Sequence, residues 1–392
     1  MKILMTADTV GGVWTYAIEL IRALGASTDH HFILATMGRK ATDAQRAEVP
    51  ANATLVESEY KLEWQDDPWS DVEAAGRWLL DLERREAPDV VHLNGYAHGA
   101  LPFRAPKLVV GHSCVLSWWR AVKEENAPPE WTRYRDEVQR GLAGADFVIT
   151  PSAWMLGALD QHYRFNSPTR LIYNGRDYAT GKSEAGNRKS IFAAGRLWDD
   201  AKNLRAVVEA APLINAPVRI AGDGGADAKN VQHLGRLDAA GMQRAYADAS
   251  IYLFPALYEP FGLSILEAAL SGCALILGDI PSLREIWDDA AVFVPPRDAE
   301  EIAHTTNDVL ANEPFREELS RRAQARAALY TPAKMAERYR ETYEQLAVGS
   351  WQLAEENPAD ESVIGVGQST EADHDPLPTA NRQPPTKPEV RP

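Results

Sequence analysis

The chain has 392 residues, of which 45% are hydrophobic and 25% are charged, and its formal net charge is −15 at pH 7. A chain of this length and composition can bury two ordinary cores, so it is typical of a large enzyme with two or three domains. The acidic balance argues against general affinity for nucleic acid, although a local basic patch would still permit peripheral contact with an anionic acceptor or a membrane surface.

Cysteine usage and the absence of targeting signals indicate a reducing compartment. The two cysteines, Cys114 and Cys273, fit neither a disulfide framework nor a metal cluster. Residues 1–5 enter a strand pattern directly, without a preceding basic segment and apolar stretch, so we expect no secretion signal. No apolar run reaches the roughly 18 to 20 residues that span a bilayer. The sequence therefore predicts a cytoplasmic protein.

Short apolar strands alternate with helical segments in two successive blocks. This alternation is typical of parallel, doubly wound α/β sheets. The predicted strands are 3–6, 32–35, 90–93, 108–110 and 147–150 in the first block, and 191–194, 218–221, 251–254, 274–277 and 291–293 in the second. We therefore expect two Rossmann-like domains, residues 1–173 and 191–331, that face each other across a cleft.

Three segments fall outside these blocks. Residues 174–190 are polar and rich in glycine and serine, which predicts a linker. Residues 332–348 carry a helical pattern and predict a last helix. Residues 350–392 are rich in proline and acidic side chains and have no sustained periodicity, which predicts a disordered tail.

The most informative motif is FPALYEPFGLSILEAALSGCALILG at residues 254–278. Glu259 follows a predicted buried strand, and leucines at helical spacing begin a helix near Gly262. The free N–H groups of that helix start form an anion site. Glu267 lies among apolar residues on the second turn, where a carboxylate costs several kcal/mol unless it is hydrogen-bonded. A polyhydroxylated ligand would satisfy it, whereas an arbitrary pair of glutamates would be surface charges.

Two cations flank a second helix start in the same predicted domain. Arg196 follows Gly195 at a predicted strand end, and Lys202 precedes Asn203. Two cations beside a helix N-terminus suit a diphosphate leaving group, because they stabilise the negative charge that develops on it. Solvated surface cations are the alternative for such a pair, but its place at a predicted strand end in the same domain as Glu259 favours the diphosphate.

The first domain offers two further groups of candidates. Gly11 and Gly12 join the first strand to a helix, and paired glycines let backbone amides approach a phosphate or sugar closely; a tight turn is the alternative. His92 and His112 end predicted strands, where ligands of open α/β sheets bind. Trp118 and Trp119 follow and would stack on an acceptor sugar, or else fill the core.

The segment EPFGLSILEA at residues 259–268 closely resembles the motif of the retaining GT-B glycosyltransferases of family four, also called group one. The resemblance extends over residues 1–347. It implies an acceptor-binding first domain, a nucleotide-sugar-binding second domain, and an active site in the cleft between them. It also implies that the helix at 332–348 crosses back to the first domain.

Roles for individual residues follow from the same resemblance. Glu259 would contact hydroxyls of the transferred sugar, Glu267 would hold the ribose, and His112 would lie near the transferred sugar. Arg196 and Lys202 would stabilise the leaving diphosphate. The further donor contacts expected are Gly11, Gly12, Arg236, Leu237, Phe261, Gly262 and Leu263, and the expected acceptor contacts are His92, Trp118 and Trp119.

The implied activity is transfer of a hexose from a UDP- or GDP-sugar, with retention, in polysaccharide or glycoconjugate biosynthesis. The acceptor would be a sugar, a lipid-linked molecule or a small molecule. Neither a metal nor a cofactor is expected, since Arg196 and Lys202 provide the cations and the nucleotide sugar is a substrate. Glycogen synthases carry a lysine where this chain has Thr9, which disfavours an ADP-glucose polymerase.

Three other classes of protein compete with this interpretation. A dinucleotide dehydrogenase should show G-x-G-x-x-G after a strand, and neither the segment at 10–12 nor the segment at 222–225 has that spacing. A non-catalytic GT-B binding protein would not turn over a donor. A sugar phosphorylase on the same scaffold would depend on orthophosphate.

Overall fold

The computed structural model describes residues 1–178, 190–225 and 228–349. The elements within these ranges belong to one unit of the chain. Most of the linker predicted at 174–190, and all of the tail predicted at 350–392, lie outside the described residues.

In the described part of the chain, seven strands form the first sheet: β1 (Lys2–Asp8), β2 (His31–Met37), β3 (Ala53–Glu57), β4 (Val90–Leu93), β5 (Lys107–Val110), β6 (Phe147–Thr150) and β7 (Thr169–Leu171). The strands are parallel, in the order β3-β2-β1-β4-β5-β6-β7. Its interior strands are apolar along their length because helices cover both faces of a parallel sheet. The chain changes direction across the sheet at β1, which pairs with both β2 and β4.

The second sheet has six strands within the described residues: β8 (Ser190–Ala194), β9 (Val218–Ala221), β10 (Val231–Gly235), β11 (Ala249–Phe254), β12 (Ala274–Gly278) and β13 (Val292–Val294). They are parallel in the order β10-β9-β8-β11-β12-β13. The direction changes at β8, which pairs with β9 and β11. Two doubly wound Rossmann-like domains are thus confirmed.

Helices cover both faces of each sheet. They are α1 (Gly12–Ser27), α2 (Asp43–Glu48), α3 (Trp69–Glu86), α4 (Val115–Trp118), α5 (Thr132–Gly144), α6 (Ala153–His162), α7 (Leu204–Ala210), α8 (Ala239–Ala247), α9 (Leu263–Leu270), α10 (Pro281–Trp287), α11 (Ala299–Ala311), α12 (Glu313–Ala327) and α13 (Pro332–Ala347). A π-helical turn, Trp119–Lys123, continues α4, and a 3₁₀ turn, Asp200–Lys202, precedes α7. None of the described helices combines the length and apolarity needed to cross a bilayer.

The last helix, α13, packs on the first domain, as the resemblance implied. The Thr331 side chain caps its start by accepting a hydrogen bond from the Lys334 N–H at 3.2 Å. Its apolar face, including Met335 and Tyr339, is buried in the same core as α1. The chain therefore leaves the first domain after β7, builds the second domain, and returns.

The outgoing and returning chain segments lie side by side. The Arg176 N–H donates to the Tyr330 carbonyl at 3.2 Å. A Cβ atom on Gly175 would lie 2.2 Å from the Thr331 carbonyl oxygen, so only glycine permits this approach. The two crossings are therefore in direct contact.

Three strands, β3, β7 and β10, were not expected from the sequence. Each lies at the edge of its sheet, where one side faces away from the core. Their residues are mostly half-exposed or exposed, in contrast to the fully buried β4, β6 and β11. These three edge strands therefore lack the continuous apolar run on which the prediction depends, whereas β13, also at an edge, has the apolar run Val292–Val294 and was predicted.

Candidate active site

A cavity of about 890 Å³ lies between the two domains. It is lined by residues that follow β1, β4 and β5 in the first domain and β8, β9 and β11 in the second. These are the carboxyl ends of strands around the two points where the strand order reverses. Open α/β sheets bind their ligands at such points.

Lys202 and Glu259 form an ion pair on the second-domain wall, with Nζ 2.6 Å from Oε2. The 3₁₀ turn that carries Lys202 is fixed at both ends. The Asp199 carboxylate accepts from the Ala201 N–H at 3.1 Å, and the Asn203 amide donates to the Pro255 carbonyl at 2.8 Å. The last bond ties the turn to the end of β11, which leads to Glu259.

Arg196 lies on the same wall, opposite the glycine loop of the first domain. Its Nη2 is 2.8 Å from Asp199 Oδ2. Gly11 has φ of 97°, and a Cβ atom there would lie 3.3 Å from Arg196 Nη1. A Cβ atom on Gly12 would lie 3.8 Å from Leu263 at the start of α9. The two walls therefore lie close together where the predicted diphosphate site lies, and side chains on the glycine loop would narrow the gap between them.

Arg176 binds Glu267, the carboxylate that the sequence assigned to ribose. Arg176 Nε is 2.9 Å from Glu267 Oε1, and its Nη1 is 2.8 Å from Glu19 Oε1 on α1. The Tyr246 hydroxyl donates to the other Glu267 oxygen at 3.4 Å. Burial raises the pKa of Glu267, against the lowering effect of Arg176. The sequence suggested a polyhydroxylated ligand for this carboxylate, whereas in the structure an arginine satisfies it.

His112 lines the first-domain wall as a neutral imidazole. Burial lowers its pKa to about 3. The Asn94 amide donates to the Thr6 carbonyl at 2.6 Å, so its Oδ1 points to His112 Nε2 at 2.7 Å. Nε2 must then carry the proton, which leaves Nδ1 as a hydrogen-bond acceptor.

His92 does not line the cavity, and its position corrects the expectation that it contacts an acceptor. It is fully buried, with Nδ1 2.6 Å from the Tyr343 hydroxyl of α13 and Nε2 3.2 Å from Asn94 Oδ1. Burial lowers its pKa to about 3. His92 thus connects α13 to Asn94, which orients His112.

The other predicted donor and acceptor contacts line the cavity. They are Arg236, Leu237, Phe261, Gly262 and Leu263 on the second-domain wall, and Trp118 and Trp119 on the first-domain wall. Glu267 is not among the lining residues. Within the described ranges, no group of three or more His, Cys, Asp and Glu side chains could hold a metal ion.

Several lining residues were not singled out in the sequence, among them Asp8, Glu63, Trp64, Asn94, Trp131 and Trp198. Burial raises the pKa of Asp8 to about 6, against the lowering effects of the Val10 N–H and of Arg196. Asp8 ends β1, and its place at a strand end was the one available signal. Glu63 and Trp64 belong to the loop between β3 and α3. Because β3 was not predicted, no sequence pattern indicated that this loop lies at the cleft.

Two Rossmann-like domains, with a charged cavity between their strand ends and a returning C-terminal helix, constitute the GT-B architecture of glycosyltransferases. Residues 10–180 match the model described as Glycosyltransferase Family 4, and residues 188–312 match the model described as Glycosyl transferases group 1. The chain belongs to this family of glycosyltransferases.

Curated relatives match only part of the chain. O-antigen chain mannosyltransferase B of Escherichia coli is 30% identical over 101 residues, which is 26% of each protein. Phosphatidyl-myo-inositol mannosyltransferase of Mycobacterium tuberculosis is 27% identical over 180 residues, which is 41% of this chain and 48% of the relative. The matches therefore cover less than half the length of either relative.

Solved structures match the fold over most of the chain. Sucrose-phosphate synthase from Thermosynechococcus elongatus superposes with a TM-score of 0.74 at 19% identity, covering 89% of this chain and 100% of that chain. The Anabaena protein HepE in complex with UDP-glucose superposes with a TM-score of 0.68 at 17% identity, covering 88% and 100%.

Proposed function

We propose that the protein transfers a hexose from a nucleoside diphosphate sugar to an acceptor hydroxyl, with retention of anomeric configuration and without a metal ion. The observation that carries the proposal is the Lys202–Glu259 ion pair beside Arg196, opposite the Gly11 loop. Two cations and a carboxylate thus share the wall of a cavity that is large enough for a nucleotide sugar.

Arg196 and Lys202 bind the diphosphate and stabilise it as it leaves. Both cations are held by carboxylates, Arg196 by Asp199 and Lys202 by Glu259. Their positions are therefore fixed before the reaction, which is the condition under which charge stabilisation lowers a barrier most. The backbone N–H groups at the start of α9 add partial positive charge at the same place.

Glu259 contacts hydroxyls of the transferred sugar. It follows β11 in the loop that leads to Gly262, and Lys202 holds one of its oxygens. His112 presents a neutral acceptor nitrogen from the opposite wall, so the transferred sugar lies between the two. No enzyme nucleophile is required in this arrangement.

Glu267 holds the ribose, and Arg176 orients it. Arg176 Nε donates to Glu267 Oε1, so the ribose hydroxyls bind the other oxygen, Oε2. Its contact with the Tyr246 hydroxyl is long, at 3.4 Å. The carboxylate side chain is 13% exposed and must turn toward the cavity for this contact. Arg236 and Leu237 lie near the base.

The donor is a UDP- or GDP-hexose, and no separate cofactor takes part. The mannosyltransferase names of the curated relatives support a mannosyl donor, and the UDP-glucose bound to HepE supports a UDP-sugar. The relatives also support a place in polysaccharide or glycoconjugate biosynthesis.

A two-step experiment tests this function. Thermal shift with UDP, GDP, ADP and their hexose conjugates identifies the donor, because a ligand at 100 times its dissociation constant stabilises the fold by about 2.7 kcal/mol. Release of nucleoside diphosphate from that donor is then followed with EDTA present and orthophosphate absent. We expect turnover, with retained configuration in the product.

Loss of turnover in EDTA that manganese restores would contradict metal independence. Strict dependence on orthophosphate would identify a phosphorylase instead. Binding of a nucleotide sugar without any turnover, with or without acceptors, would identify a non-catalytic binding protein.

A further inference from the structure

We propose that the acceptor is an uncharged saccharide, rather than a sugar phosphate or an anionic lipid headgroup. This inference rests on the proposed glycosyl transfer and concerns the first-domain wall of the same cavity. It draws on the aromatic side chains of that wall, on the way they are held, and on the distribution of charge.

Tryptophans give the first-domain wall flat apolar surfaces. Trp64, Trp118, Trp119 and Trp131 all line the cavity. Trp64 is 40% exposed and lines the cavity. An exposed aromatic surface inside a cleft marks a binding surface, and an indole presents both an apolar face and a polar N–H. Sugar rings have matching apolar faces and hydroxyl edges.

The loop that presents Trp64 is fixed from within the domain. The Glu63 carboxylate accepts hydrogen bonds from the Tyr96 N–H at 2.9 Å and from the Ala97 N–H at 2.7 Å. The Leu62 N–H donates to the Gln65 side chain at 2.7 Å. Trp64 is therefore held in place in the absence of a ligand, which reduces the ordering cost of binding.

Charge on this wall disfavours an anion. Among the described residues that line it, none is lysine or arginine, while Asp8 and Glu63 are carboxylates. His112 supplies no positive charge because burial keeps it neutral. The lining cations Arg196, Lys202 and Arg236 belong to the other wall, where the donor occupies them. A phosphate on the acceptor would thus face carboxylates with no cation among the described residues of the same wall, and like charges brought together repel.

Two cations close in sequence to lining residues, Lys123 and Arg133, are paired with carboxylates. Lys123 Nζ is 2.5 Å from Asp200, and Arg133 Nη2 is 2.9 Å from Glu73. Hydroxyl groups, in contrast, donate readily to carboxylates such as Asp8. The wall therefore suits a neutral polyol with an apolar face.

Matched pairs of acceptors test the inference with the wild-type protein. Labelled donor is incubated with methyl glycosides of glucose, mannose, galactose and N-acetylglucosamine, with disaccharides of these sugars, with their 6-phosphates, and with vesicles containing phosphatidylinositol. We expect transfer to at least one neutral saccharide, at a rate at least tenfold above that of its phosphate. A phosphate or the vesicles accepting the label equally well or faster would overturn the proposal.

Donor hydrolysis separates this proposal from the proposed function. If the donor is hydrolysed but no neutral saccharide is labelled, the acceptor inference is wrong and the donor assignment stands. If no nucleotide sugar is consumed under any condition, glycosyl transfer itself is wrong.

A pair of substitutions with similar exposure locates the acceptor on the wall. Trp64→Ala should raise the KM for the neutral acceptor about tenfold, because it removes a preformed stacking surface. Phe315→Ala is the control, since Phe315 is 41% exposed on α12 and does not line the cavity. An unchanged KM in folded Trp64→Ala, or an equal rise in both variants, would remove Trp64 from the acceptor site.

Discussion

The two walls of the cavity are organised by different forces. On the second-domain wall, each of the cations Arg196 and Lys202 is paired with a carboxylate. On the first-domain wall, packed aromatic rings and neutral His112 face the cavity, and within the described part of the chain Asp8 and Glu63 form no direct ion pair. Positive charge that can bind an anion is therefore confined to one wall. The difference supports the proposals that the donor is held by charge and the acceptor by shape and stacking.

Arg196→Ala and Lys202→Ala should give the largest effect. Each removes a fixed charge that stabilises the diphosphate, so we expect turnover to fall about a hundredfold or more, equivalent to about 2.7 to 4 kcal/mol. Steady-state donor turnover on folded variants measures the loss. Arg205→Ala is the control, because Arg205 is exposed on α7, where it pairs with Glu209. Near-normal turnover in the Arg196→Ala, Lys202→Ala double variant would show that these two cations do not stabilise the leaving diphosphate.

Arg176→Met tests how the two domains are joined, because Arg176 binds Glu19 on α1 and Glu267 on α9. The change leaves the buried Glu267 without a cation, and we expect a loss of about 3 kcal/mol in the free energy of unfolding. Burial already raises the pKa of Glu267 above its unfolded value, and losing Arg176 raises it further. Between the unfolded-state and folded-state pKa values of Glu267, the folded variant binds more protons than the unfolded chain. The loss of unfolding free energy is therefore complete above the folded-state pKa and disappears below the unfolded-state pKa.

Urea unfolding at pH 5 and pH 7.5 measures this dependence. Arg322→Met is the control, because Arg322 forms an exposed pair with Glu318. This substitution should leave the urea midpoint unchanged. A loss of stability in Arg176→Met that is the same at both pH values would show that the Glu267 charge is not its cause.

The two glutamates should separate binding from turnover. Glu267→Gln should weaken nucleoside diphosphate and nucleotide sugar about equally, by about 1 to 3 kcal/mol, since both carry ribose. Glu259→Gln should leave nucleoside diphosphate affinity nearly unchanged and lower turnover, because only contacts to the transferred sugar strengthen in the transition state. Calorimetry and donor turnover on both variants decide between these roles. The reverse pattern of effects would show that the roles are exchanged.

Asp8 should produce the smallest effect, a pH-dependent heat of nucleotide binding. Arg196 lowers the Asp8 pKa from the value that burial alone would give, and the pKa is about 6. A diphosphate bound to Arg196 cancels part of that effect and adds negative charge, so the pKa rises and a fraction of a proton is taken up near pH 6.5. Calorimetry in two buffers of different ionisation enthalpy detects it. Because the terminal phosphate of the ligand also titrates at about pH 6, the test compares two proteins: Asp8→Asn should take up fewer protons than the wild type, and equal uptake by both would contradict the coupling.

The interior of the fold and the second-domain wall could be predicted from the sequence for the same reason. Both are encoded in contiguous segments, such as the apolar run of β11 followed by Glu259 and the start of α9. The edge strands β3, β7 and β10 could not be predicted, because half-exposed residues carry no continuous apolar pattern.

The first-domain wall could be predicted only in part. It is assembled from segments near residues 8, 64, 94, 112 and 131, and no local pattern shows that these segments meet. His92 was assigned to the cavity because it lies at the end of β4. Successive side chains of a strand lie on opposite faces of the sheet, however, so this position alone does not show which face His92 is on. Similarly, the sequence placed Glu267 on a helix but could not show that Arg176, 91 residues away, would reach it.

The side-by-side crossings at Gly175 and Thr331 limit how the two halves of the protein can move. Because the two crossings are joined by a hydrogen bond, we expect them to act as a hinge. The domains would rotate about the line through the crossings and would slide or twist little. Every closing swing then returns Arg196 to the Gly11 loop along the same arc. Such a rotation would open the cavity to a bulky nucleotide sugar and then bring the two walls back into contact.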